Sequence, residues 1–151
     1  MSKLKQLNLN PLSVAKYFYQ RGIEILPINQ HLIYFTYLET LKEGYLLFEE
    51  EWQAWPNGPA VESVVDKMFD HRHNLQKLFA KVEDLEDELV LNYAEKVFRK
   101  YHHIEPYLIF EKAQNKPWKD ARRLLTSEKE VVQIDLTSLI NFTNSKRVRA
   151  S

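Results

Sequence analysis

Five histidines are the first residues of this chain whose chemistry invites a test. His71 and His73 flank Arg72, a spacing that sets two imidazoles on one side of a strand but on different sides of a helix. His102 and His103 are adjacent. Neither pair matches a spacing such as H-E-x-x-H, which aligns two ligands on one helical face, so no metal site is expected. His102 and His103 follow a helical pattern whose C-terminal end favours positive charge. The carboxylates come in runs: Glu49-Glu50-Glu51, Glu83-Asp84 and Glu86-Asp87-Glu88. A general acid–base pair needs two carboxyls in unlike environments across a cleft; a run supplies a solvated face or a helix start. The chain has no cysteine, which removes thiolate nucleophiles and Cys-based metal sites. No G-x-S-x-G, P-loop or G-x-G-x-x-G is present. The expectation is a non-enzyme with no cofactor.

Two aromatic segments remain. Lys116-Pro117-Trp118-Lys119-Asp120-Ala121-Arg122-Arg123 could set bases and an indole against a nucleic acid. It also fits a short amphipathic helix with Trp118, Ala121, Leu124 and Leu125 turned inward, which is the favoured reading. Trp52-Gln53-Ala54-Trp55-Pro56-Asn57-Gly58-Pro59 places two indoles in a turn. Tryptophan is enriched at interaction hot spots, and loops on a rigid scaffold carry function; equally, both indoles could plug the core beneath a hairpin. The residues alone leave both readings open.

Prolines mark the elements that must hold these segments, because proline suits the first turn of a helix. Asn10-Pro11 opens a helix to Arg21, with Gly22 as its stop. Pro27 opens a second, running to Gly44 and apolar nearly all round at Leu32, Ile33, Tyr34, Phe35, Tyr37 and Leu38, the mark of a central helix. Gly58-Pro59 opens a third, with Val61, Val64, Val65, Met68 and Phe69 on one stripe. A long amphipathic helix runs from Asp84 to Tyr101. Whether Leu75 to Val82 continues into it is open. Pro106 and Pro117 begin two shorter helices. Tyr45 to Trp55 fits a strand or hairpin, with Glu49-Glu50-Glu51 in or beside its turn. Val131 to Ile134 suggests a short strand, Asp135 to about Ser145 a helix, and residues 144–151 a basic tail.

The expected fold is mainly α, one domain over residues 1–151 with six to seven helices and a short β-hairpin before the Gly58-Pro59 helix. Three glycines in 151 residues, against an ordinary share of about 7%, agree with few tight turns. The 21 basic residues balance the 21 acidic ones, so nucleic acid is not an expected partner unless the charge is segregated. The polar start of the chain shows no signal-peptide pattern and no run approaches the ~20 apolar residues of a membrane span. A cytoplasmic protein is expected, with no membrane partner.

Phe48-Glu49-Glu50-Glu51-Trp52-Gln53-Ala54-Trp55-Pro56-Asn57-Gly58-Pro59-Ala60 resembles the F-x-E-x-(I/F)-x-A-W-x-x-G-P-V signature of the Panacea domain, the SocA-like antitoxin family. Val14-Ala15-Lys16-Tyr17-Phe18 resembles that family's first helix and Leu32-Ile33-Tyr34-Phe35 its K-L-L-Y-F second helix. Pro117-Trp118-Lys119-Asp120-Ala121-Arg122 resembles its P-W-x-x-A-R block, and the likeness spans about residues 12–143. His31 stands where the family has a basic residue, Asn57 where an aromatic is common, and Gln114-Asn115-Lys116 where a histidine usually precedes P-W. The resemblance implies a non-catalytic, phage- or mobile-element-associated antitoxin that binds a cognate toxin encoded nearby, or presents it to a protease. It places partner contacts at Trp52, Trp55, Asn57, Gly58, Pro59, Trp118 and Arg122. The alternative is a phage-associated regulator that binds nucleic acid through Lys119, Arg122, Arg123 and the tail. Neither the toxin nor the oligomeric state is set by the sequence.

Overall fold

A computed structural model describes residues 4–150, and the side chains of residues 4–145. It is mainly α, with eight helices and five short strands among the described residues. The helices are α1 (Pro11–Gln20), α2 (Leu26–Lys42), α3 (Glu62–Asp70), α4 (Leu75–Phe79), α5 (Glu88–Tyr101), α6 (Pro106–Ala113), α7 (Lys116–Arg122) and α8 (Leu136–Ala150). The strands are β1 (Lys5–Gln6), β2 (Tyr45–Leu46), β3 (Gln53–Trp55), β4 (Gly58–Ala60) and β5 (Val132–Gln133).

Helix α2 is the axis of the molecule. Twelve of its 17 residues are buried, and α1, α3, α5, α6, α8, β2 and β4 all pack on it. An element covered on nearly every side leaves little face for water, which is why its sequence shows no polar stripe. Prolines stand in the first turns of α1, α2, α6 and α7, where a missing N–H costs nothing. Gly22 and Gly44, at φ +92° and +93°, end α1 and α2. Helix α5 buries Val90, Ala94, Val97 and Tyr101.

Several expectations need correction. The long helix begins at Glu88, not Asp84, because Asp87 caps it by accepting from Val90 N–H at 3.1 Å. Residues 75–79 form the separate one-turn helix α4, capped by Asn74, and this element takes the count beyond seven. Pro59 does not open α3: it lies in β4, and α3 starts at Glu62. The hairpin itself is β3–Pro56–Asn57–β4, with Trp55 opposite Gly58 and Ala54 opposite Pro59. Across a two-residue turn the closing pair exchanges hydrogen bonds and the next does not. Pro59 therefore sits at a non-bonded position of an edge strand, where no N–H is needed.

The predicted strand pairing within 45–55 gives way to distant partners. β2 pairs in parallel with β1, and β3 lies between β4 and β5 in the order β4-β3-β5. Glu49-Glu50-Glu51 are exposed in the segment between β2 and β3. Phe69 of the α3 stripe is 54% exposed. Helix α8 continues to Ala150 rather than stopping near Ser145; the basic side chains of the tail and residues 1–3 lie outside the described residues.

Gly58 is the tightest point of the hairpin. Its φ is +144°, and a Cβ there would lie 2.3 Å from His31 Nε2. Gly22 and Gly44 also have positive φ but open space around them. Gly58→Ala should cost about 2–4 kcal/mol, combining backbone strain with overpacking, whereas Gly44→Ala should cost about 1 kcal/mol. Urea unfolding of the two variants checks this; equal losses would refute the close approach.

Candidate functional site

The hairpin and α7 meet through backbone-directed bonds. The Trp118 indole donates from Nε1 to the Trp55 carbonyl at 2.8 Å. Arg122 donates from Nη1 to the Ala54 carbonyl at 2.7 Å and to the Glu130 carbonyl at 2.8 Å, and from Nη2 to the Glu128 carbonyl at 3.1 Å. One guanidinium thus ties β3 to the segment leading into β5, a use of its rigid fork of donors. Gln114 Nε2 donates to the Asn57 carbonyl at 3.2 Å, fixing the hairpin turn from the end of α6. Asn115 caps α7, and Tyr34 donates to the same Asn115 oxygen at 2.9 Å. The Trp55 indole donates to Gln53 Oε1, and Gln53 donates to Glu62.

The seven candidate contact residues fall into two groups. Trp52 is 1% exposed and packs edge-on against Tyr34 and Tyr37; it belongs to the core. Gly58 and Pro59 are buried and shape the hairpin from beneath. Trp55, Trp118 and Arg122 are half-buried and Asn57 is exposed, so these four reach the surface, on one connected face. The pairing of β5 with β3, continued by one residue, sets Val131 opposite Trp55. Val131 is 41% exposed and Leu124 84% exposed. Leu124 does not turn inward as the helical stripe predicts, because α7 ends at Arg122 and the stripe stops before reaching it. No local pattern in the sequence places Val131 beside Trp55, since the two are brought together by strand pairing over 76 residues' separation in the register.

Arg122 directs three of its five N–H donors to backbone carbonyls, the part of a structural brace rather than of a phosphate clamp. The histidine pairs are helix-end residues. His71 Nδ1 lies 2.9 Å from the Lys67 carbonyl at the end of α3, and His102 stacks on Phe98 at 4.8 Å beyond α5. Among the described residues no group of three or more His, Cys, Asp or Glu side chains is placed to hold a metal ion. No helix among them is long and apolar enough to cross a membrane.

Behind this face lies a buried polar row on α2. Asn29 donates to the Ala15 and Ile23 carbonyls, both at 3.1 Å. Gln30 accepts from Val61 N–H at 3.0 Å, holding the start of α3. His31 is 1% exposed, lies edge-on to Phe110, and its Nδ1 has no hydrogen-bond partner among the described residues. Burial lowers its pKa to about 4 from the ordinary 6.5. Burial also raises the Tyr34 and Tyr37 hydroxyls well above their ordinary value. This imidazole is therefore neutral at pH 7.

Comparison with models of known protein families, with curated proteins and with solved structures yields no match.

The lowered His31 value sets a stability window. Unfolded chains take up this proton near pH 6.5 and the folded chain only near pH 4, so stability falls as pH drops between those values. The loss should total about 3 kcal/mol, since each pH unit between the two titrations is worth about 1.4 kcal/mol. Urea midpoints of wild type and His31→Gln across that range test it: the variant should lose part of the slope, and equal slopes would show that His31 contributes none.

Proposed function

We propose that the chain is a non-catalytic, antitoxin-like module that binds and neutralises a protein toxin encoded beside it. One observation carries the reading. The two most specific blocks of the Panacea resemblance, Ala54-Trp55-Pro56-Asn57-Gly58-Pro59 and Pro117-Trp118-Lys119-Asp120-Ala121-Arg122, are 63 to 68 residues apart in sequence along their hydrogen bonds, yet Trp118 and Arg122 bond directly to Trp55 and Ala54. Residues that carry the resemblance and also contact one another form a unit, and this unit leaves Trp55 half-buried and Asn57 exposed. A half-buried tryptophan on a braced hairpin suits a protein partner.

The nucleic-acid alternative loses support at the same place, because Arg122 is engaged internally. Presentation of the toxin to a protease is compatible with the same surface.

The test is co-expression with the product of each flanking gene. A neighbour that stops growth alone, and is both neutralised by and co-purified with this chain, is the expected result. Asn57→Arg and Val131→Glu, both at surface positions, should each weaken co-purification at least ~10-fold, the scale of an interface hot spot, while leaving far-UV circular dichroism unchanged. If no neighbour is toxic, or the pair neither associates nor affects growth, the reading fails.

A further inference from the structure

The sheet β4-β3-β5 has two edges, and they are finished differently. β4 is buried along its whole length and packs on α2 and α6. β5 has no strand beyond it among the described residues. Its backbone pattern follows from two contacts. Ile134 N–H donates to the Trp52 carbonyl at 2.8 Å, and the register sets Ala54 opposite Val132. Bonded and non-bonded pairs alternate along an antiparallel ladder, so Ile134 and Val132 turn their backbone groups towards β3. The same register, carried two residues further, sets Glu130 opposite Pro56, which has no N–H to give. Arg122 supplies the missing donor to the Glu130 carbonyl at 2.8 Å. Residues 130–134 are thereby fastened to β3 on one side, which aims the N–H and C=O groups of Val131 and Gln133 away from it. Both residues are exposed. The stretch Val131-Val132-Gln133-Ile134 carries neither charge nor proline, two of the usual guards of a free edge.

We propose that β5 is a self-association edge: two copies of this chain pair antiparallel along it, joining their sheets into one. Outward backbone groups on alternate residues permit several registers, and the flanking charges choose among them. Exposed Lys129 lies two residues before Val131, and exposed Asp135 two residues after Gln133. Neither is in an ion pair among the described residues. A two-fold axis at Val132 pairs Val131 of each copy with Gln133 of the other, and brings Lys129 of each beside Asp135 of the other. An axis at Val131 or at Gln133 would set those charges against uncharged residues instead. Opposite charges at both ends therefore fix one register. The same order of charges selects a second copy as the occupant, because a two-fold axis supplies the complement by symmetry. With 21 bases balancing 21 acids, two copies also meet without net repulsion. Pairing lays the Gln133 side chain of one copy against Val131 of the other, which is 41% exposed in the single chain. Because the axis stands perpendicular to the sheet, Trp55 of both copies comes to one face. Self-pairing stands whether or not the chain neutralises a neighbour.

Sedimentation equilibrium of the full chain, across about 10 μM to 1 mM to cover weak association, should show the mass rising from one chain towards two. Gln133→Pro removes an outward N–H and no bond to β3. It should weaken the dimer at least ~10-fold, since two hydrogen bonds are lost per pair, with far-UV circular dichroism unchanged. Lys129→Glu alone and Asp135→Lys alone set like charges at both ends, and each should weaken self-association about tenfold. A one-to-one mixture of these two variants restores opposite charges at both ends and should associate like wild type. Misfolding of either variant could not give that rescue. A chain that stays monomeric at the highest concentration overturns the proposal. So does a dimer indifferent to Gln133→Pro, or a mixture that associates no better than its components. Hydrogen exchange identifies a different occupant: Val131 and Gln133 amides that gain protection only when another protein is bound assign the edge to that protein, and overturn self-pairing.

Discussion

The structure depends on one constraint: α2 is buried over most of its length, so the polar side chains within that stretch have only the protein itself to supply partners. An unpaired buried polar group costs roughly 1–3 kcal/mol, and a helix this central carries five buried polar residues, Asn29, Gln30, His31, Thr36 and Thr40. The threonines return their hydroxyls to carbonyls of α2 itself. Others reach outward, and each reach fixes another element. Asn29 ties the end region of α1, Gln30 ties the start of α3, and Tyr34 holds the cap of α7. The position of the hairpin follows, because β4 must pass over His31 and only glycine fits there.

This chain of dependence explains why the hairpin and α7 form a rigid face. Trp52 anchors β3 from the core side, against Tyr34, Tyr37 and Phe48. Trp118 and Arg122 hold the same strand from the other side through its carbonyls. A strand of three residues has little stability by itself, yet here it is fixed from both sides and flanked by two partners. Trp52, Gly58 and Pro59 are therefore scaffold, and they set the exposure of Trp55 and Asn57. Arg122 does both, bracing the face while half-exposed on it.

What is legible in the sequence is what is local. Proline at helix starts locates α1, α2, α6 and α7, and the unbroken apolar content of residues 32–38 identifies the central helix. The same proline rule misplaces α3, because Pro59 satisfies a second rule equally well: a non-bonded position on an edge strand. Local pattern does not distinguish the two. Strand partners are out of reach for a related reason. β1 meets β2, and β3 meets β5, across dozens of residues, and strands of two or three residues have no periodicity to read. The exposed or buried state of the three tryptophans is likewise undecidable from type alone, since an indole serves a core and an interface equally.

The balance of charge is the clearest case of a sequence property whose meaning changes with the fold. Twenty-one bases against 21 acids suggest a surface with no electrostatic preference. The acids, however, are concentrated in connecting segments, with exposed Glu49-Glu50-Glu51 before β3 and Glu83, Asp84 and Glu86 before α5. Six lysines from α2, α5, α6 and α7 converge on one cleft. Of those helices only α7 looks basic in sequence; α2, α5 and α6 read as ordinary amphipathic or buried elements with a lysine or two. That gathering arises only when the helices pack together, so a zero net charge does not by itself describe the charge around any one part of the surface.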